Sequence, residues 1–265
     1  MESKFTNKYD NAYSILEKLE QGGSGGSGGK VVLVDGTKFG NSTFTEVPEN
    51  LDFSEVNDFK QMFCLCKNLT TAPQLDTTNC SDFGSMFYGC TNLRNIPPLD
   101  TSNGTNFYGM FNDCSLASIP QIDTSNGTDF SYMFAYSRNR GNIPPLDTSK
   151  GTKFEYMFYT CNNLTTIPQL NLTNSTKFSS MFYLCYKLEN IKLEGSINAN
   201  ISFSSSSSLT YDSIKSILTA ASNATNTSSK TLSFNRTIAD QNGELSALVG
   251  SSTTKGWTIT GLTLE

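Results

Sequence analysis

The 265-residue chain contains no histidine and one tryptophan, and only 16% of it is charged. Without imidazole there is no Ser-His-Asp or Cys-His pair and no His-ligated zinc, so the commonest hydrolytic machineries are excluded. The formal charge is -5, and lysine and arginine never gather into a dense stripe. The electrostatic footprint of a nucleic-acid binder is therefore missing. No run approaches the ~18 apolar residues of a membrane span, and the start, Met1 to Lys8, is polar where a signal peptide would be apolar. Neither membrane insertion nor classical secretion is expected. The 37% of apolar residues can still build a sizeable core.

What the chain does have is a Met-Phe pair that returns six times, at Met62-Phe63, Met86-Phe87, Met110-Phe111, Met133-Phe134, Met157-Phe158 and Met181-Phe182, in steps of 24, 24, 23, 24 and 24 residues. A fixed period in the twenties marks supersecondary units that bury their apolar faces only against one another. The expected fold is an α/β solenoid, a leucine-rich-repeat-like stack of about seven 23-24-residue coils. At the ~4.8 Å spacing of neighbouring strands such a stack is a rod of roughly 35 Å.

One repeat reads Phe83, Met86, Phe87, Cys90, Leu93, Ile96, Pro97, Leu99, Asp100, Thr101. The first four positions fall at i, i+3, i+4 and i+7, the spacing of one helix face, which predicts a short helix on one side of each coil. Proline then forces an extended side. The Met and Phe ladders are assigned to the core. Cys66, Cys90, Cys114, Cys161 and Cys185 share one register, with Ser137 in the sixth copy. A line of thiols does not converge on a metal, so buried free cysteines are expected, with a disulfide between adjacent coils left open. Cys64 and Cys80 lie outside this ladder.

Asp52, Asp76, Asp100, Asp123 and Asp147 form a second ladder, continued by Asn171 and Glu194. Local hydrogen bonding to turn N–H groups is the favoured reading. Calcium binding or acid-base work on a sugar, making the chain a carbohydrate-active enzyme, is the sharper alternative. No catalytic, cofactor-binding or metal-binding residue is assigned. Arg138 and Arg140, on an irregular fourth repeat, are candidate surface contacts.

Residues 1-20 place Phe5, Tyr9, Tyr13, Leu16 and Leu19 at helical spacing and predict an amphipathic anchor helix that wants a partner. Residues 21-29 are a Gly/Ser tether, natural or an engineered scar. Residues 30-58 form an N-terminal cap and degenerate first coil, 59-200 the repeat stack, and 201-265 a small α+β cap. Within that cap a helix is expected over 209–221, behind a Thr cap, with strands at 231–234 and 257–262.

The repeat resembles the BspA-like leucine-rich repeat family, in the branch running Leu-Asp-Thr-Ser-Asn-x-Thr-x-Phe/Met-x-x-Met-Phe-x-x-Cys-x-x-Leu, over about residues 47 to 194. Lys255-Gly256-Trp257-Thr258-Ile259 looks like the module that follows such repeats in proteins of gut bacteria and their phages. The resemblance implies a displayed adhesion or interaction module without catalytic residues. Because no export signal is evident, the expected setting is a bacteriophage virion surface, as a fibre or decoration protein. In that setting the helix docks on other virion proteins and the solenoid binds a host surface glycan or protein. A bacterial cell-surface adhesin is the alternative, and a homo-oligomer stays open.

Overall fold

The computed structural model describes residues 31–40, 42, 44–137 and 143–265. Across them the backbone climbs by whole repeats. The N–H groups of Gln61, Phe63 and Leu65 donate to the carbonyls of Gly84, Met86 and Tyr88 at 3.0, 3.0 and 2.6 Å, and the same three bonds recur from coil to coil until Thr160 donates to Tyr183. The donors between them close tight turns on their own coil: Met62 to Phe59, Cys64 to Gln61 and Cys66 to Phe63.

This corrects the helix expected on one side of each coil. An α-helix spends each N–H on its own carbonyl four residues back, whereas here alternate donors leave the segment and bind the neighbour. Two left-handed residues per repeat set the geometry, the one before Met and the second after Phe. They run from Gln61 and Leu65 (φ 57° and 62°) to Ser180 and Leu184 (φ 52° and 60°). A positive φ at the third position is what a type II turn requires.

The Ile-Pro-x-Leu-Asp side is extended but pairs sparsely. Strand β1 (Val31–Val32) runs parallel to β2 (Leu51–Asp52), and β3 (Leu170–Asn171) to β4 (Leu193–Glu194). Single parallel bridges join Glu46 to Thr71, Thr71 to Asn95 and Thr166 to Asn190. Pro97, Pro120, Pro144 and Pro168 have no N–H with which to continue a ladder there.

The core is two columns of rings. Phe39, Phe63, Phe87, Phe111, Phe134, Phe158, Phe182, Phe203 and Phe234 stack with successive centroids 4.6 to 6.1 Å apart and planes within 20°. Phe83, Phe107, Phe130, Phe154 and Phe178 make the second, at 5.4 to 6.3 Å. Offset stacking adds about 0.5–1.5 kcal/mol per pair to the burial itself. The interior rungs of the second column follow Gly104, Gly127 and Gly151. A Cβ at Gly104 would lie 2.6 Å from the Phe107 ring, and at Gly127 and Gly151 it would collide with Phe130 and Phe154. At the column's two ends, whose rings have a neighbour on one side only, Cys80 and Ser175 hold this register.

The ladder cysteines are buried and unpaired. Each thiol donates to a carbonyl of the preceding coil: Cys66 to Phe39 (3.2 Å), Cys90 to Phe63 (2.9 Å), Cys114 to Phe87 (3.0 Å), Cys161 to Phe134 (3.0 Å) and Cys185 to Phe158 (3.1 Å). Ser137 fills the register because its hydroxyl makes the same bond, to Phe111 at 2.9 Å. Burial pushes the Cys66 thiol up to about 11 and that of Cys185 to about 12, with Cys90, Cys114 and Cys161 also raised.

Beyond residue 200 the first column carries into a parallel sheet ordered β5 (Ile201–Ser202), β6 (Lys230–Ile238), β7 (Trp257–Leu264). Helix α1 (Tyr211–Ser222) is capped by Thr210, which accepts from the Ser213 N–H, and buries Ile214, Ile217 and Leu218. Helix α2 (Glu244–Thr254), not expected from sequence, starts where both Asp240 oxygens accept from the N–H groups of Leu245 (2.8 Å) and Ser246 (3.0 Å). Trp257 donates to the Ala221 carbonyl at 2.9 Å, and the buried Lys230 ammonium lies 5.4 Å from its ring centre. That ammonium also donates to the carbonyls of Asn226, Ser228 and Lys255 at 2.7 to 3.0 Å.

Gly151→Ala is expected to cost about 1–3 kcal/mol by overpacking against Phe154. Thr160→Gly should gain about 0.5–1 kcal/mol, since Thr160 is a β-branched residue at φ 61° whose hydroxyl is buried without a partner. Denaturant midpoints read both. Alkylation at pH 8 should label the half-buried Cys64 first and the five ladder thiols only after unfolding, as mass spectrometry of the peptides would show.

Candidate binding surface

The acidic ladder resolves into turn geometry. Asp76, Asp100, Asp123 and Asp147 accept from the N–H two residues on, in Thr78, Ser102, Ser125 and Ser149, at 2.9 to 3.1 Å. Asn171 accepts from Thr173 N–H in the same way at 3.0 Å. A neutral amide serves there, so the register asks for an Asx oxygen rather than a charge. The neighbouring Thr77, Thr101, Thr124 and Thr148 hydroxyls donate to the next coil's carbonyls at 2.8 to 3.0 Å. Asn103, Asn126 and Asn174 side chains donate to the coil below at 2.6 to 2.8 Å. The Asp-Thr-Ser-Asn loop thus binds the stack along one edge. Among the described residues no three His, Cys, Asp or Glu side chains converge as a metal site, and no helix is long and apolar enough to cross a membrane.

The opposite character is found beside the Met-Phe turns. Eight of the eleven tyrosines, Tyr88, Tyr108, Tyr132, Tyr136, Tyr156, Tyr159, Tyr183 and Tyr186, fall between two residues before Met and four after Phe. The left-handed turn residues there hold their side chains out of the core. Six of them form one connected ridge. Tyr108 meets Tyr132 at 5.6 Å and 55°, and Tyr132 stacks on Tyr156 at 4.6 Å and 14°. Tyr159 stands edge-on to Tyr156 at 5.4 Å, meets Tyr136 at 5.2 Å and stacks on Tyr183 at 5.3 Å. Tyr108, Tyr136 and Tyr183 are 43%, 45% and 48% exposed. Packing in the ridge raises the Tyr132 pKa, through burial first and then the adjacent Tyr156 and Tyr108.

Sequence reasoning passed over this ridge. Its signal was the clustering of tyrosine around a single repeat register, but the expected helix left no face on which to place it. The anchor residues Phe5, Tyr9, Tyr13, Leu16 and Leu19, and the candidate contacts Arg138 and Arg140, lie outside the described residues.

At the end of the ridge the stack has a gap. Phe154 and Tyr156 donate to the carbonyls of Lys177 (3.2 Å) and Ser179 (2.9 Å), yet among the described residues none of the matching donors one coil later, Phe178, Ser180, Phe182 and Leu184, makes such a bond to the layer above. A cleft of about 390 Å³ opens there between Ser179 and Ser180 on one side and Asn200, Ser202, Thr231 and Ser233 on the other.

Hydroxyls and N–H groups two residues on hold Asp76, Asp100 and Asp147 below the usual carboxylate range, and the Ser125 N–H holds Asp123 there. A depressed native pKa gives stability that is present above the unfolded value near 3.9 and is lost as pH falls through the native one. The thermal midpoint is therefore expected to drop below about pH 4. Asp100→Asn, which keeps the acceptor as Asn171 does but loses the charge, should lower the midpoint at pH 7 slightly and flatten the acid limb.

A family described as "Mycoplasma protein of unknown function, DUF285" matches the chain twice, over residues 34–140 and 94–196. No curated protein and no solved structure matches it. The two matches together span more than half of the 265 residues and coincide with the stacked coils, so the chain belongs to this BspA-like repeat family.

Proposed function

We propose that the chain is a non-enzymatic display protein, a leucine-rich-repeat-like solenoid that offers its tyrosine ridge to a surface ligand. The observation that carries this reading is the ridge itself: six aromatic rings in mutual contact, three of them more than two-fifths exposed, on a rigid stack. Contiguous exposed aromatic surface marks interaction sites, and tyrosine gives large contact area at low entropic cost. The groups that other chemistry would use support the same reading, since the Asp ladder is engaged in turns and the Cys ladder faces carbonyls inside the core.

Display on a bacteriophage virion, with residues 1–20 docked on the particle as anchor and residues 21–29 as tether, fits the order of segments in the chain. Display on a bacterial cell is the second reading, favoured by the Mycoplasma description of the matched family.

Purified chain should adhere to cultured bacteria. The triple variant Tyr132→Ser, Tyr159→Ser, Tyr183→Ser, with an unchanged thermal midpoint, should lose adhesion at least about tenfold. Undiminished adhesion refutes the ridge. Location is read separately. Recovery of the chain in purified particles, abolished by deleting residues 1–29, supports the virion. Release of its peptides by protease shaving of intact cells supports the cell surface.

A further inference from the structure

The cleft at the end of the ridge supplies what the ridge lacks. Its ten lining residues carry no charge. Ser179, Ser180 and Asn200 are exposed, and among the described residues the two hydroxyls and the Asn200 amide nitrogen make no hydrogen bond. Asn200 Oδ1 is held by the Thr231 N–H at 2.8 Å, which turns its NH2 toward other acceptors. The Ser180 N–H belongs to the same alternating series as those of Gln61, Ser85, Gly109, Tyr132 and Tyr156, each of which donates to the coil above. Among the described residues that donor is left over in the last coil.

The gap coincides with the end of the second ring column. Phe178 is the last ring of its column, and Ser175 stands where interior rungs have glycine. Its ring sits 6.3 Å from Phe154 and tilts by 28°, the widest spacing and largest tilt in that column. The following layer rejoins the stack through the other column, where Phe203 meets Phe182 at 4.6 Å. One side of the junction is thus closed by rings, and the other is left open and lined with hydroxyls.

Ser180 occupies the turn register of Tyr132 and Tyr156 in the next coil, so ridge and cleft are consecutive along the rod. Tyr108, tilted 55° from Tyr132, leaves ring surface uncovered at the far end. A ligand running this course meets apolar ring surface and phenol hydroxyls first, then hydroxyl, amide and a backbone donor. Glu155 lies among the tyrosines, where its charge opposes ionisation of Tyr132, and Asp113 has the turn register of Tyr136. These carboxylates disfavour an anionic ligand.

We propose that ridge and cleft together form a binding site for an uncharged oligosaccharide, its C–H faces against Tyr108, Tyr132 and Tyr156 and its terminal hydroxyl or N-acetyl oxygens in the cleft between Ser180 and Asn200. This rests on the reading of the chain as a surface-ligand binder and specifies the ligand class.

The test exposes the full chain to a printed array of neutral hexose, N-acetylhexosamine and uronate oligosaccharides, followed by calorimetry on the best hexasaccharide. Binding confined to neutral sugars is expected. Affinity should fall at least about tenfold in Tyr156→Ala and in Asn200→Ala, and stay unchanged in Tyr186→Ala, whose ring touches none of the ridge tyrosines. The thermal midpoint of each variant establishes that it is folded. Preference for uronates, silence across the array, or neutral-sugar binding indifferent to Tyr156 and Asn200 overturns the proposal. In parallel, adhesion to bacteria is measured after periodate or protease treatment of the cells. Periodate-sensitive adhesion supports the sugar. Adhesion that is Tyr-dependent, resists periodate and vanishes with protease overturns the sugar while leaving the surface-binding function intact. Absence of adhesion to treated and untreated cells alike counts against both.

Discussion

Everything else in the stack follows from one arrangement of donors. On the Met-Phe side of each coil, alternate N–H groups point along the rod to the next coil's carbonyls and the rest close turns on their own coil. Backbone groups buried between layers must all find partners, and this division satisfies both sets without a helix. Its condition is a left-handed residue before Met and another two after Phe in all six repeats. That conformation costs about 1–2 kcal/mol at a residue with a Cβ, so the ring columns must outweigh it. A fully buried Phe returns about 1.5–3 kcal/mol, and each coil buries two rings besides Met and Leu.

The same arrangement explains where specificity can sit. Most side chains on the left-handed residues stand outside the ring columns, so this register is less constrained than the core and varies between Gln, Ser, Gly, Tyr, Asp, Thr and Leu. The Asp-Thr-Ser-Asn edge is the reverse case. There nearly every side chain bonds a neighbouring coil or its own turn, and the sequence has little room to differ. The molecule therefore has one invariant edge that joins layers and one permissive edge that carries rings.

Much of this was legible in the sequence, and the failures have physical causes. Period and core were plain because Met, Phe, Cys and Leu recur at fixed intervals and all are buried. The helix was misread because i, i+3, i+4, i+7 spacing also results when turns closed by i→i−3 bonds keep one side inward. Periodicity records which side chains share a face and is silent on where the N–H groups go. Phe39, Phe203 and Phe234 extend the first column, yet steps of 21 and 31 residues at its C-terminal end hid the last two from a search at 24. The cleft was invisible, because it depends on bonds that the last coil fails to make. Asp behaved as the Asx-turn reading required, with Asn171 as the internal control.

The lone tryptophan lies wholly within the C-terminal cap, bonded to Ala221 and covered by Lys230, while the ridge tyrosines belong to the stacked coils. Eight of the eleven tyrosines lie in those coils, and Tyr211 is the one tyrosine of the cap. Indole emission follows the fate of the cap, and in a Tyr211→Phe background phenol emission from the described residues follows that of the layers beneath it. In a molecule whose units touch only their immediate neighbours, the order in which the two signals change during denaturation tells whether melting begins at the capped end or among the repeats, without any label being introduced.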